Sequence, residues 1–506
     1  MYEDHSCCKL FTTRTALSIV RAMKWHCIIP IVMDLKRRTK IVCTIGPATA
    51  STAKMEELLR AGMDVARLNL SHGTREDHES YIRAVRQAAS TAKAPAAILL
   101  DIPGPKIRTG KVMHKEVMLK EGSEFTLTTR DVEGDEKAVG MNLPGLPESV
   151  KENDAIFLND GAIKLEVLAR TPTDVKCRVL VGGILTDERG INVPNVNLKT
   201  PPFLEVNRRN LLFGIEQEVD FIALSFVREA QDIVNTRKFL SEHGADVPII
   251  AKIEKWEACQ VLDDMVAVSD GLMVARGDLG VEIPLQKVPL VQKELIRKCN
   301  RAGKPVITAT QMLESMIENP SPTRAEVNDI ANSIFDGTDA VMLSGETAVG
   351  RYPVESVKVM AEVALETEAA LPYSKLIVER GAELEPKTDD AISYAACHTA
   401  FRLGAAAIVA FTMSGSTARR VSRYRPEAPI LAATPNPNQR KRLLLSWGVY
   451  PYEVPEPDSV HDLFAQAAGL SLQTGIATKG SLIVITAGLP IAVQGTTNLL
   501  KVERLE

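Results

Sequence analysis

The stretch from Pro248 to Pro284, PIIAKIEKWEACQVLDDMVAVSDGLMVARGDLGVEIP, decides the fold. Two short apolar runs within it end in charge. Ile249–Ala251 leads into Lys252 and Glu254, and Leu272–Ala275 leads into Arg276 and Asp278. Between them, Glu257 to Val268 has helical spacing, with Ala258, Val261, Leu262 and Met265 apolar. Strand, helix, strand is a crossover, and its two strands run parallel with their C-terminal ends side by side. Glu254 and Asp278 then meet although 24 residues separate them. Two carboxylates at one point repel unless a cation lies between them, and oxygen donors alone suit Mg2+ or Mn2+. Lys252 falls two residues before Glu254 and so points to the same side of its strand. The plain alternative is a solvated Lys–Glu pair at a strand end; the rest of the chain weighs against it.

Working outward, the same rhythm repeats. Buried strands are predicted at Lys40–Ile45, Val65–Leu70, Ala96–Leu100, Phe221–Phe226, Pro248–Ile253, Gly271–Ala275, Pro305–Thr308 and Ala340–Leu343, with helical segments between most of them. Eight strand–helix units predict a TIM-type (β/α)8 barrel, whose chemistry sits at the C-terminal ends of the strands. Those ends carry Asn69, Ser71, His72, Asp101, Ser225, Lys252, Glu254, Asp278, Thr310, Ser344 and Glu346.

Between Gly110 and Glu205 the period shortens to alternation, punctuated by Gly and Asp, which predicts a small β domain inserted after the third strand as a lid. After Pro372 a second open α/β unit is expected, α/β in class like the barrel. Its stretch Thr412–Thr417 joins a strand to a helix through Ser414, Gly415 and Ser416, a composition suited to an anion at a helix N-terminus or to an ordinary N-cap. The expected division is barrel over 33–110 and 206–372, lid over 111–205 and C-terminal unit over 373–506. Residues 1–32 have no clean period, and we expect a disordered or spurious extension with Met33 as the start.

The chain has 506 residues, too many for one core, and a net charge of −4. Without a basic excess and with few aromatics, neither nucleic acid nor a membrane surface is expected as partner. Eight scattered cysteines without a C-x-x-C pair argue for reduced thiols and a cytoplasmic setting.

Together, TKIVCTIGPA at 39–48, VARLNLSHG at 65–73, GPKIRTG at 104–110, the 252–284 region, KPVITATQMLESM at 304–316 and DGTDAVMLSGETA at 336–348 resemble the pyruvate kinases, from Thr39 to the C-terminus. The resemblance implies transfer of the phosphoryl group of phosphoenolpyruvate to ADP, giving pyruvate and ATP. It implies Lys252, Thr310 and Arg67 as catalytic residues, Gly277, Asp278 and Thr310 around the substrate carboxylate, and Glu254 and Asp278 on Mg2+. Asn69, His72, Arg108 and Arg189 would face the nucleotide, and Ser344 and Glu346 would support the site. Phosphoryl transfer needs positioned positive charge more than covalent help, which suits this residue set. A homotetramer is also implied. Two other readings stand beside it. One is a metal-dependent aldolase or lyase acting on pyruvate enolates. The other is a non-catalytic scaffold, against which the intact Lys252, Glu254, Asp278 and Thr310 speak.

Two further expectations follow, the first from a departure in the third-strand loop. Many family members hold a K+ ion with groups matching Asn69, Ser71, Asp101 and the carbonyl of Ile102, and carry Glu where this chain has Lys106. An ammonium at Lys106 carries the charge of K+ and would repel it, so K+ is not expected to be required. The second concerns an effector phosphate at Thr412, Ser414, Gly415, Ser416 and Thr417. The facing segment 461–475 has no Lys or Arg, so a monophosphate is favoured over fructose 1,6-bisphosphate.

Overall fold

The computed structural model describes residues 37–104, 107–159, 161–194, 196, 203–491 and 495–506; the expectations for residues 1–32 and for Lys106 lie outside them. Eight parallel strands close into a barrel in chain order: Lys40–Thr44, Val65–Asn69, Ala97–Ile102, Phe221–Leu224, Ile249–Ile253, Gly271–Ala275, Val306–Ala309 and Ala340–Leu343. The fifth and sixth pair with Lys252 opposite Met273 and Ile253 opposite Val274, so the ends that carry Lys252 and Asp278 are neighbours.

Alternation along each strand sorts side chains between two cores. Val42, Leu99, Ala223, Ile250, Met273 and Met342 fill the barrel interior, while Ile41, Ile98, Ile222, Ala251 and Leu272 face the helices. Leu444 and Leu445, from the C-terminal unit, join the interior cluster. One step further along the interior parity, the apolar layer gives way to Thr44, Arg67, Asp101, Ser225 and Lys252, all buried. The site is therefore the last layer of the barrel interior.

The expected helix between the fifth and sixth strands is two short ones, Trp256–Gln260 and Leu262–Val268, broken at Val261 with φ −126° and ψ 35°. Ala258, Leu262 and Met265 are nonetheless buried, so the apolar spacing identified the packed face and missed the break. The third strand continues past Leu100 and carries Asp101 and Ile102 on the strand itself.

The lid is a curled six-stranded sheet ordered Ile191–Asn192, Ala155–Leu158, Ile163–Arg170, Asp174–Val181, Glu124–Thr128 and Ala138–Gly140, with a two-stranded ribbon of Glu116–Leu119 and Gly183–Thr186. Phe125, Leu127, Ile156, Leu165, Val167 and Cys177 make its own core. At its base, Arg108 bridges Gly190 in antiparallel fashion.

The C-terminal sheet is ordered Val449–Glu453, Ile430–Thr434, Ala407–Phe411, Leu482–Gly488 and Thr497–Arg504, with only the last strand antiparallel. It is tied to the barrel by buried charge. Arg425 meets Asp339 at 2.9 Å and Asn300 Oδ1 at 2.6 Å, and Lys40 Nζ donates to the Val449 carbonyl at 2.8 Å. No helix among the described residues is long and apolar enough to cross a membrane.

Candidate active site

Lys252 lies at the centre of the polar layer. Its ammonium donates to Ser225 Oγ at 2.7 Å and to Asp101 Oδ1 at 3.2 Å, and lies 2.8 Å from Glu254 Oε1. Burial alone would lower its pKa, but the Asp101 and Glu254 charges outweigh that and raise it. Arg67 completes the set: Nε donates to Asp101 Oδ2 at 2.8 Å and a terminal nitrogen to Thr44 Oγ1 at 2.8 Å. Asp101, 1% exposed, would be raised by burial, yet Lys252 and Arg67 hold it below the usual carboxylate range. Its Oδ1 also accepts from Ser225 Oγ at 3.1 Å. Two cations thus share one buried carboxylate, which places positive charge at the barrel mouth without leaving it unpaired.

Glu254 is 1% exposed, and burial pushes its carboxyl up to about 7, opposed by Lys252 and reinforced by the Asp278 and Asp101 charges. Its Oε2 accepts the Phe226 N–H at 2.8 Å, while the buried Oε1 faces the Lys252 ammonium at 2.8 Å. Two carboxylates bearing on one another in a buried site, Glu254 and Asp278, fit a divalent cation between them. Among the described residues no cluster of three or more His, Cys, Asp or Glu could hold a metal. Mg2+ bound through one or two carboxylates takes its remaining oxygens from water and substrate phosphate, and the pair Glu254 and Asp278 matches that pattern.

Asp278 and Gly277 lie in the short helix Arg276–Glu282 that follows the sixth strand. The Gly277 N–H, expected to face a substrate carboxylate, donates to Thr310 Oγ1 at 2.8 Å, and that hydroxyl donates to the Ala309 carbonyl at 2.7 Å. Thr310 and Gln311 both have left-handed backbones, with φ 69° and 54°. Arg276 holds this turn through the Ala309 and Thr310 carbonyls at 3.1 and 2.6 Å, and pairs with Asp329 at 2.6 Å. Glu346, buried and with its pKa raised by burial, accepts the Leu313 N–H at 3.0 Å and the Ser344 N–H at 2.7 Å. It joins the loops after the seventh and eighth strands.

The remaining expected residues lie further out. Asn69 Oδ1 accepts the Ser71 N–H at 3.1 Å, and His72 is exposed, with its carbonyl accepting from His78 Nε2 at 2.8 Å. Ile102 is buried at the strand end. Arg108 and Arg189 come together at the base of the lid, where the Thr109 N–H donates to the Arg189 carbonyl at 2.8 Å and Arg108 donates to the Glu188 carbonyl at 3.0 Å. In the C-terminal unit, Thr412, Ser414, Ser416 and Thr417 line one pocket beside Pro457 and Leu463. Thr412 Oγ1 is buried without a partner, Gly415 is left-handed at φ 79°, and Ser414 Oγ donates to Ser416 Oγ at 3.2 Å. Arg420, which follows this loop, pairs with Asp389 at 2.6 Å.

Three residues went unnoticed in the sequence. Lys255 Nζ lies 2.5 Å from Glu282 Oε1, and Asn192 Nδ2 donates to that same oxygen at 2.8 Å. Only the charge of Lys255 within KIEK hinted at anything, and it reads as a surface group.

A closed parallel barrel with a polar mouth, a curled lid and buried cations beside two carboxylates has the make-up of a barrel enzyme suited to phosphorylated substrates. Residues 36–357 match the family profile described as pyruvate kinase, barrel domain, and residues 390–503 match pyruvate kinase, alpha/beta domain. The chain is 49% identical over 471 residues to a protein named pyruvate kinase from Geobacillus stearothermophilus, covering 92% of this chain and 80% of that one. A pyruvate kinase of Clostridium acetobutylicum is 43% identical over 472 residues, 93% of this chain and 100% of the relative. The chain belongs to the pyruvate kinase family.

Proposed function

We propose that the protein transfers the phosphoryl group of phosphoenolpyruvate to ADP, giving pyruvate and ATP in the cytoplasm. The observation that carries this reading is the Lys252 ammonium, buried among Asp101, Ser225 and Glu254, with the Asp278 carboxylate bearing on Glu254. Lys252 and Arg67 would neutralise charge on the transferring phosphoryl group, which is the main demand of this chemistry. Glu254 and Asp278 would hold Mg2+ or Mn2+, which when bound supplies Lewis-acid stabilisation of the phosphoryl and enolate oxygens. Thr310 and the Gly277–Asp278 turn would orient the substrate carboxylate. Asn69, His72, Arg108 and Arg189 would face the nucleotide, with Ser344 and Glu346 in support. The division into barrel, lid and C-terminal unit at residues 110, 205 and 372 belongs to the same proposal, as does a homotetramer.

Two finer points follow. Activity without K+ is supported by the engagement of Asp101 by two cations and of Asn69 Oδ1 by its own loop. A monophosphate effector at Thr412–Thr417 is supported by the unpartnered Thr412 hydroxyl and by Arg420 being spent on Asp389. The test is pyruvate release from phosphoenolpyruvate and Mg2+, with and without ADP, in tetramethylammonium and in potassium buffer. ADP-dependent release at equal rates in both buffers is expected. Release without ADP would mean that the phosphoryl group passes to water and would refute ADP as its acceptor, and strong activation by K+ would overturn the cation reading.

A further inference from the structure

We propose that Glu282 is a positioning residue that registers the lid against the carboxylate of Glu254. The inference rests on the phosphoryl-transfer reading. Lys255 directly follows Glu254, and its ammonium lies 2.5 Å from Glu282 Oε1, which also accepts from Asn192 Nδ2 at 2.8 Å. Lys255, Glu282 and Asn192 are 7, 2 and 4% exposed, so none of them exchanges the contact for water at small cost. Asn192 ends the lid strand Ile191–Asn192, and Glu282 ends the helix Arg276–Glu282 that contains Asp278. One carboxylate therefore ties the exit of the lid to both elements that carry the metal-suited pair.

The entry of the lid is tied from the opposite side. Phe226 gives its N–H to Glu254 Oε2, and Lys255 Nζ sits 5.3 Å from the centre of its ring. Its backbone is left-handed at φ 56°, a conformation that costs an aromatic residue energy and persists only where its surroundings enforce it. Gly104, where the chain leaves the third strand for the lid, packs so tightly here that a Cβ would stand 2.6 Å from Phe226 Cδ2. Both crossings of the lid thus bear on the segment 254–255. A lid that swings out removes the Asn192 donor from Glu282 and opens the Lys255–Glu282 pair to water. A seated lid completes Glu282, and with it the placement of the loop that holds Glu254.

The experiment compares Asn192→Ala, Glu282→Gln and the double variant with the wild type. Asn192→Ala is expected to lower kcat about tenfold while KM for phosphoenolpyruvate and the melting temperature hardly move. Glu282→Gln should lower kcat and also weaken Mn2+ binding measured by electron paramagnetic resonance without substrate. It should speed amide exchange at Ile191–Val193 as well. In the Glu282→Gln background, Asn192→Ala should add less than about twofold, because coupled residues are not additive. Should Glu282→Gln fail to fold, the paired change Lys255→Met/Glu282→Leu removes both charges and serves as the background. Unchanged kcat in Asn192→Ala, fully additive effects or unchanged exchange at the lid strand would overturn the inference. A wild type that releases no pyruvate would instead refute the phosphoryl-transfer reading, while exchange and Mn2+ binding still decide the coupling.

Discussion

Lys252 shows how one side chain is kept charged where burial opposes charge. Two carboxylates and a hydroxyl surround it, and Asp101 is shared with Arg67. Lys252→Met removes the charge and leaves Asp101 paired with Arg67, so the fold should survive. Transition-state stabilisation should fall by about 3 kcal/mol or more, a drop in kcat of more than a hundredfold. Steady-state kinetics with circular dichroism as control checks this, and near-normal turnover would remove Lys252 from its role. At this scale the sequence was legible where strand alternation carried the signal. Lys252, Asp101 and Arg67 follow the apolar interior residues Ile250, Leu99 and Val65 by two positions, Glu254 follows Lys252 by two more, and their convergence is inherited from that parity. Lys255, Glu282 and Asn192 were not legible, because their contacts join segments 27 and 90 residues apart and no local period announces them. Nor does a phenylalanine announce a left-handed backbone as a glycine does.

Among the elements, the fourth-strand loop does the most with the least chain. Ser225 supports Lys252, and the next N–H, that of Phe226, supports Glu254. Gly104 lies against both residues: a Cβ there would stand 2.6 Å from the Ser225 carbonyl oxygen and 2.7 Å from Phe226 Cβ. Backbone cannot yield as a flexible side-chain tip can, so Gly104→Ala must displace the loop. We expect Gly104→Ala to lower kcat at least tenfold and to weaken Mn2+ binding, with little loss of thermal stability, a combination that points to geometry more than folding. Unaltered Mn2+ binding would refute it. The strands of the barrel were legible to within a residue or two, whereas the helix after the fifth strand was not. Its buried positions Ala258, Leu262 and Met265 keep helical spacing across the break at Val261, and spacing alone is blind to a change of backbone angle between packed residues.

For the whole molecule, the seam between barrel and C-terminal unit carries a titratable group. Lys40 is 1% exposed, donates to the Val449 carbonyl and lies 4.7 Å from the Tyr450 ring centre. Burial pulls its pKa down to about 8 from 10.5, with Asp64 opposing and Arg37 assisting. The native state therefore binds fewer protons than the unfolded chain between about pH 8 and 10.5, and stability rises with pH across that window. Relative to Lys40→Met, which has no such titration, the wild type should gain up to about 3 kcal/mol from pH 8 to pH 10.5. Denaturant unfolding of both proteins at pH 7.5, 9 and 10.5 measures it, and a constant gap would refute it.

The placement of the lid also bears on how the chain reaches this structure. The third and fourth barrel strands are hydrogen-bonded neighbours, with Ile102 opposite Leu224, yet the whole lid lies between them in the chain. Bringing those ends together across a flexible segment costs entropy that grows with the logarithm of its length. The Arg108–Gly190 bridge closes most of that segment at the base of the lid. A lid that condenses first on its own core leaves about 40 residues for the barrel to span in place of about 120, a saving of about 1 kcal/mol in loop closure. Early folding of the lid would then quicken closure of the barrel about fivefold, so the insertion assists the assembly of the sheet it interrupts.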